Sequence, residues 1–452
     1  MFEKKERVDD EKNYRLGFTT SISIEIVKAI AKSLYDPSKI MKDIIIANRL
    51  LNLEGKKNIE WNDLSISSGY PGGLLLFAEL QKLFPNEEFD GIVYDYIVKI
   101  IKSIESKPIS NLSLFNGLTG CCFAIQQASL DGTRYQKVLK PLHDFIIKHL
   151  ESTYLIPFKS NLKPGFSIRM DIYDLMHGII GVGFYCLKNL EIPSFNYLVG
   201  EIISTLLNLK WPVIVNGYKV PRWYLDQGEA MKYEEEYPSQ RYFNLSMSHG
   251  ITGVLAFLSL AHQKGYIING MEEVIVYIST WIQQKRRKVD NLFYWDKGIS
   301  FSDETTHTCS SPVFWSDAWD CGTPGIARTL YLTGLTIKNE ELIQYALQSF
   351  ISVFDKNRLI ELPKNPFFSK GTSGLYMLTN LMARDSKSTF LEQKTIVLKD
   401  ILLNQLSEYT PQDYQNKNSL DILNGIPGAL LTLLSSEYEL KSWYSPFLID
   451  WI

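Results

Sequence analysis

Ser248-His249-Gly250-Ile251-Thr252-Gly253-Val254-Leu255-Ala256-Phe257-Leu258 carries two features in one stretch. A pair of glycines three residues apart opens a run that is apolar nearly all round, the pattern of a buried helix. A polar residue, His249, stands immediately before the first glycine. The same arrangement recurs along the chain. Gly69-Tyr70-Pro71-Gly72, Gly117-Leu118-Thr119-Gly120, Gly178-Ile179-Ile180-Gly181, Gly322-Thr323-Pro324-Gly325, Gly371-Thr372-Ser373-Gly374 and Gly425-Ile426-Pro427-Gly428 complete a set of seven. Their first glycines lie 48, 61, 72, 72, 49 and 54 residues apart. Fourteen of the 28 glycines sit in these motifs, a concentration that isolated turns would not produce.

A repeat of this length holds one outer helix, one inner helix and two loops. The segments between motifs are amphipathic. Ile92, Val93, Tyr96, Ile97, Ile100, Ile101 and Ile104 form one stripe at helical spacing, with Asp95, Lys99, Lys102 and Glu105 off it. Seven helical hairpins therefore predict an all-α fold, an α/α-toroid with an inner ring inside an outer ring. It is expected as a single domain over residues 1–452, with repeats from about Leu64 to Leu434. The glycines are expected to allow a tight turn and a close approach. Pro71, Pro324 and Pro427 suit a first helical turn. Residues 209–244 break the rhythm. Trp211 to Val220 reads as a short hairpin turning at Asn216-Gly217, with an acidic cluster at Glu234-Glu235-Glu236, and a solvated loop and a lid or peptide-docking element are both open readings. Asp290 to Trp319 is expected to be irregular and aromatic-rich.

Composition narrows the function. A net charge of -3 with 21% charged residues offers no polyanion-binding stripe. The charged stretch Met1–Tyr14 is not a signal peptide, and no run reaches the roughly 20 apolar residues that span a bilayer. Five scattered cysteines, Cys121, Cys122, Cys186, Cys309 and Cys321, suit a reducing compartment. The expected location is cytoplasmic.

The residues just before the glycine pairs are Ser68, Asn116, His177, His249, Cys321, Lys370 and Asn424, with Asp174, Asp320, Ser369 and Asp421 just behind. If the motif mouths converge on one end of the toroid, these residues share a cavity. His177, Cys321 and Asn424 are expected to line it. Helix capping accounts for Ser68, Asn116 and Asn424. It accounts poorly for Asp174, His249 and Lys370, because lysine is unfavourable at the positive end of a helix.

Phe243-Asn244-Leu245-Ser246-Met247-Ser248-His249-Gly250-Ile251-Thr252-Gly253 resembles the histidine motif of the lanthionine synthetase C-like family. Tyr173-Asp174-Leu175-Met176-His177-Gly178-Ile179-Ile180-Gly181 resembles its aspartate motif. Trp319-Asp320-Cys321-Gly322-Thr323-Pro324-Gly325 is similar to its Trp-Cys-Tyr-Gly-x-x-Gly motif. Phe368-Ser369-Lys370-Gly371-Thr372-Ser373-Gly374 is similar to its Cys-His-Gly-x-x-Gly motif. The resemblance runs through all seven repeats. It implies a cyclase of the nisin cyclase type, which adds peptide cysteine thiols to dehydroalanine or dehydrobutyrine to form lanthionine and methyllanthionine thioethers. It implies Asp174 and His249 as catalytic proton carriers, and a precursor peptide with a leader as substrate. A dehydratase and a transporter of the same pathway, and peripheral association with a membrane-bound complex, are further implied partners.

The family holds zinc with two cysteines and a histidine. Glycine-to-glycine alignment places those ligands on Asp320, Ser369 and Lys370, while Cys321 falls one place late, and Ser316 stands where the family has an arginine. Serine is a poor zinc ligand and an ammonium is none. No cofactor is therefore expected, and an Asp320–Lys370 pair is expected near the vacated position, with the same zero net charge as zinc on two thiolates. A separate site built from His307, Cys309 and Cys321 would lack an obvious fourth ligand. Three functions stay open: a zinc-independent cyclase, a non-catalytic homologue that binds precursor peptide or scaffolds the modification complex, and another toroid enzyme such as a glycosidase using Asp174 and Asp320. No DDxxD or DxDD run supports a terpene cyclase.

Overall fold

Seven helices begin one residue after the first glycine of each motif: Tyr70–Leu83, Leu118–Gln127, Ile179–Lys188, Ile251–Gln263, Thr323–Thr336, Thr372–Ser386 and Ile426–Tyr438. They come from a computed structural model that describes residues 22–55, 58–163, 166–226, 242–308, 316–355, 363–409, 420–438 and 440–451. Their apolar surfaces leave no solvent face, and every residue from Ile251 to Ala261 is buried. Each packs on the next, and the last packs on the first, so the inner ring closes.

The outer ring consists of Pro37–Leu53, Phe89–Ser106, Gln136–Leu150, Pro193–Leu206, Met271–Gln284, Glu340–Ser352 and Thr389–Ser407. These helices are one-sided. In Phe89–Ser106 the buried residues are Phe89, Val93, Tyr96, Ile97 and Ile100, and Ile92, Ile101 and Ile104 pack partly buried beside them. The double ring is the α/α-toroid that the glycine repeat predicts.

The second glycine of every motif has one physical reason. A Cβ there would lie 1.9 to 2.6 Å from the carbonyl oxygen of the residue six places earlier, as at Gly374 against Phe368 and Gly428 against Ile422. That separation is far inside van der Waals contact. The approach is mainly to the chain's own preceding loop rather than to a neighbouring helix; at Gly72 the Leu420 carbonyl across the ring closure is closer still. None of these glycines needs a positive φ.

The same loops tie the repeats together. Backbone N–H groups of Ile66, Phe115, Leu175, Met247, Trp319 and Phe368 donate to the carbonyls of Phe115, Met176, Ser248, Asp320, Ser369 and Leu423 respectively. Each link runs from one motif mouth to the next, so all seven mouths share one end of the ring.

The hairpin falls where expected. β1 (Val213–Val215) pairs antiparallel with β2 (Tyr218–Val220), and the turn residues Asn216 and Gly217 have φ of +52° and +82°. Glu234, Glu235 and Glu236 lie outside the described residues. The described part of Asp290 to Trp319 is more regular than expected. β4 (Arg287–Val289) pairs with β5 (Leu292–Tyr294), β3 (Tyr242–Asn244) pairs with β6 (Gly298–Ser300), and a short helix, Phe301–Thr306, follows.

The segment after the last repeat belongs to the core. The Phe447 ring stacks on Phe368 at 4.4 Å and meets Trp319, Trp443 and Phe115 at 5.0, 5.7 and 5.9 Å. Trp319 Nε1 donates to the Phe447 carbonyl, and the buried Arg328 donates to the Ile449 carbonyl and to Asp385. Ser442 donates to Glu79, and Lys188 donates to Ser445. Contacts with five repeats place this segment inside the ring, beneath the mouths. Among the described residues no helix is long and apolar enough to cross a membrane.

Candidate functional site at the motif mouths

The loop ahead of each glycine pair is a repeated turn with side-chain caps. Four residues before the first glycine, Ser65, Ser113 and Ser246 accept backbone N–H groups of Ser67 and Ser68, of Asn116, and of His249. Two residues earlier, Asn111, Asn244, Ser316 and Asn365 cap in the same way. Side chains that satisfy nearby backbone groups are the usual reason for Ser and Asn in such turns. Ser316, where the family has arginine, is one of these caps.

Two expectations need correction. Ser68 and Asn116 are not helix caps. The N-cap residues are Gly69 and Gly117, and neither helix has a side-chain cap. The N–H groups of Leu118 and Thr119 instead donate to the Asn111 and Leu112 carbonyls, so Asn116 is free for another role. Asn424 is exposed and donates to Asp421 at 3.4 Å.

Asp174 occupies the Ser position of the third repeat. Its Oδ1 accepts the His177 and Gly178 N–H groups at 2.6 and 2.7 Å, the capping role. A carboxylate has a second oxygen, and here it faces the mouth. Oδ2 lies 2.6 Å from His249 Nδ1 and 3.3 Å from His177 Nδ1. The two imidazoles stack at 5.3 Å with 13° between planes. Asp174 is fully buried while each histidine side chain is 29% exposed, so the carboxylate is sheltered and the rings reach the opening. His249 Nε2 has no hydrogen-bond partner among the described residues. His177 Nε2 lies 3.1 Å from Asn116 Nδ2.

Burial works to raise the Asp174 pKa. Hydrogen bonds from His177 and His249, and their charge, outweigh it and hold the carboxyl at about 2. Burial works to lower that of His177, but the hydrogen bond and charge of Asp174, with Asp171 behind, raise it. A buried carboxylate that fixes an imidazole through Nδ1 and leaves Nε2 open is the arrangement of an oriented general base.

The next mouths carry Asp320, Cys321, Ser369 and Lys370. Cys321 is buried, and burial, then the charge of Asp320, push its thiol up to about 12, while Lys370 acts on it in the opposite sense. Asp320 also accepts the Cys321 backbone N–H at 2.9 Å. Ser369 is buried and Lys370 exposed. A zinc ion needs deprotonated thiols, neutral imidazoles or carboxylates. A hydroxyl and an ammonium do not supply them, and Asp320 alone offers a usable ligand atom, so Asp320, Ser369 and Lys370 do not fit the family's zinc. His307 is described but Cys309 is not. Among the described residues, the one cluster of metal-capable donors is Asp174, His177 and His249.

The double ring agrees with the comparisons. The family model for lanthionine synthetase C-like proteins matches residues 60–448. The nisin biosynthesis protein NisC of Lactococcus lactis subsp. lactis is 24% identical over 400 residues, covering 86% of this chain and 90% of that protein. A solved nisin cyclase superposes with a TM-score of 0.73 at 22% identity, covering 91% of this chain and 98% of that one. This chain is a member of the lanthionine synthetase C-like family.

Proposed function

We propose that the protein is a lanthipeptide cyclase that works without the family's zinc. A cysteine thiol of a dehydrated precursor peptide enters the mouth. His249 Nε2 takes its proton, and the sulfur bonds to the β-carbon of dehydroalanine or dehydrobutyrine. The displaced π electrons form an enolate, and the imidazolium returns the proton to the α-carbon. The addition consumes no oxidant or co-reactant. One observation carries this reading: the buried Asp174 holds His249 by Nδ1 at 2.6 Å and leaves Nε2 to the open side. Family membership and the likeness to a nisin biosynthesis protein support the substrate class.

A free thiol has a pKa of about 8.5, so only a few per cent is thiolate at neutral pH. The positioned base supplies the missing fraction where it is needed. Across the mouth, Asp320 and Lys370 are proposed to pair near the position the family gives to zinc. There the ammonium can hold the thiolate or the enolate. An experimental structure with these charged atoms more than roughly 6 Å apart would remove that role. A dehydratase and a transporter are the partners such a cyclase would need.

A second reading has its own observation. Ser369 and Lys370 cannot hold zinc, as expected for a homologue that binds precursor peptide without turning it over. Purified protein incubated with dehydrated precursor, with free thiols counted over time, separates the two. The cyclase reading predicts loss of thiols faster than in buffer, and His249→Ala abolishes the difference. Peptide binding with no gain over buffer would favour the scaffold.

A further inference from the structure

His177 shares its carboxylate with His249, and a shared counter-charge can serve only one cation well. Its ring is held from the far side by Asn116. The Ser65 and Ser67 hydroxyls lie 2.8 and 3.1 Å from Asn116 Oδ1. Ser65 Oγ already accepts the Ser67 and Ser68 N–H groups, so toward Asn116 it can only donate, which assigns the amide oxygen to the serines and the NH2 group to His177. An NH2 group only donates. His177 Nε2, 3.1 Å away, must then present its lone pair. On that assignment the single ring proton of a neutral His177 belongs on Nδ1, which faces Asp174 Oδ2 at 3.3 Å.

We propose that Asn116 is a positioning residue that keeps His177 neutral and so reserves the charge of Asp174 for His249. A second proton on His177 would put an N–H against the Asn116 N–H and lose that hydrogen bond. It would also spend the carboxylate before substrate binds. Two cationic rings stacked at 5.3 Å would repel each other. Asp174 and Asp171 favour a charged His177, and Asn116 opposes them. With His177 neutral, the proton that His249 removes from the thiol creates one imidazolium beside one carboxylate, a balanced pair. His177 thus holds its neighbour's counter-ion in place without carrying a proton to substrate. The inference rests on His249 as the base.

The test is the tautomeric state, read by nitrogen-15 NMR of the full-length protein labelled at histidine, beside the rate of ring closure. Wild type at neutral pH should show His177 neutral, with the proton on Nδ1. Asn116→Asp places an acceptor at Nε2 and should make His177 cationic, with kcat down about tenfold or more, KM little changed and a shifted pH profile. Asn116→Gln should restore part of the rate if its longer amide reaches Nε2. A wild-type His177 that is cationic, or protonated on Nε2, overturns the proposal even if the enzyme turns over. So does Asn116→Asp that leaves the His177 state unchanged. The expected NMR states in a protein that never closes rings would keep the lock and remove the cyclase reading instead.

Discussion

The Asp174 carboxylate meets the His249 imidazole at 2.6 Å, across 75 residues of sequence and one inter-repeat boundary. The contact exists because one residue does two things. Its first oxygen caps a turn that Ser65, Ser113 and Ser246 cap in other repeats. Its second oxygen is surplus to the turn, and the ring geometry delivers it to the next mouth.

Asp174→Asn should separate these roles. The amide oxygen can still accept the His177 and Gly178 N–H groups, so the turn survives. The NH2 group then faces both Nδ1 atoms and forces their protons onto Nε2. His249 would present a donor where a base is needed. The expected loss in kcat is about 10²- to 10⁴-fold, measured by single-turnover thiol loss, with an unchanged circular dichroism spectrum. A rate within about twofold of wild type would contradict the assignment.

The same substitution should change acid stability. The Asp174 carboxyl lies at about 2 when folded against an ordinary 3.8. A lowered carboxyl pKa contributes stability above pH 3.8, and the contribution is lost as pH falls toward about 2. The expected size is ~2 kcal/mol. Urea unfolding at a series of pH values should show the wild-type advantage over Asp174→Asn shrinking as pH falls from 3.8 toward about 2.

The fold was legible because its repeated element is chemically narrow. Only glycine fits against a carbonyl at 1.9 to 2.6 Å, so the chain must spell glycine at every mouth. Asp174 and His249 were legible because an acid and an imidazole fit poorly beside apolar helices. His177 read only as a lining residue, since nothing in its own motif shows that it shares a carboxylate with a residue of the next repeat. Asn116 was misread as a cap, although the glycine after it takes that position. Asn111, Asn244 and Asn365, each six residues before a first glycine, are a signal that was available and went unused. The C-terminal segment has no repeat to mark it, and its role depends on contacts with distant loops.

Two glycine substitutions test the reason for the motif. Gly374→Ala would drive a methyl group against the Phe368 carbonyl, whereas Gly91→Ala, inside Phe89–Ser106, meets nothing within 4 Å. The first should cost about 3 kcal/mol, the upper end for overpacking. The second should stabilise by about 0.5–1 kcal/mol through helix propensity. Equal effects in chemical unfolding would refute the steric explanation.

Phe447 should matter despite lying beyond the repeats. Phe447→Ala removes a ring packed on Phe368, Trp319, Trp443 and Phe115, at an expected cost of about 3–5 kcal/mol. Trp319 is two residues from Cys321, whose thiol is buried and pushed up to about 12. Wild-type Cys321 should resist a thiol reagent near neutral pH, and the variant should expose it. Mass spectrometry of the labelled peptide reads the difference.

The central claim is a cyclase whose base is His249 and whose chemistry does not pass through the family's zinc. The most direct measurement is the rate of thiol loss from a dehydrated precursor with the protein pre-treated with a strong zinc chelator. The account predicts ring closure faster than in buffer, at the same rate with and without chelator, and lost in His249→Ala. Closure that the chelator abolishes and added zinc restores, or closure no faster than in buffer, would contradict it.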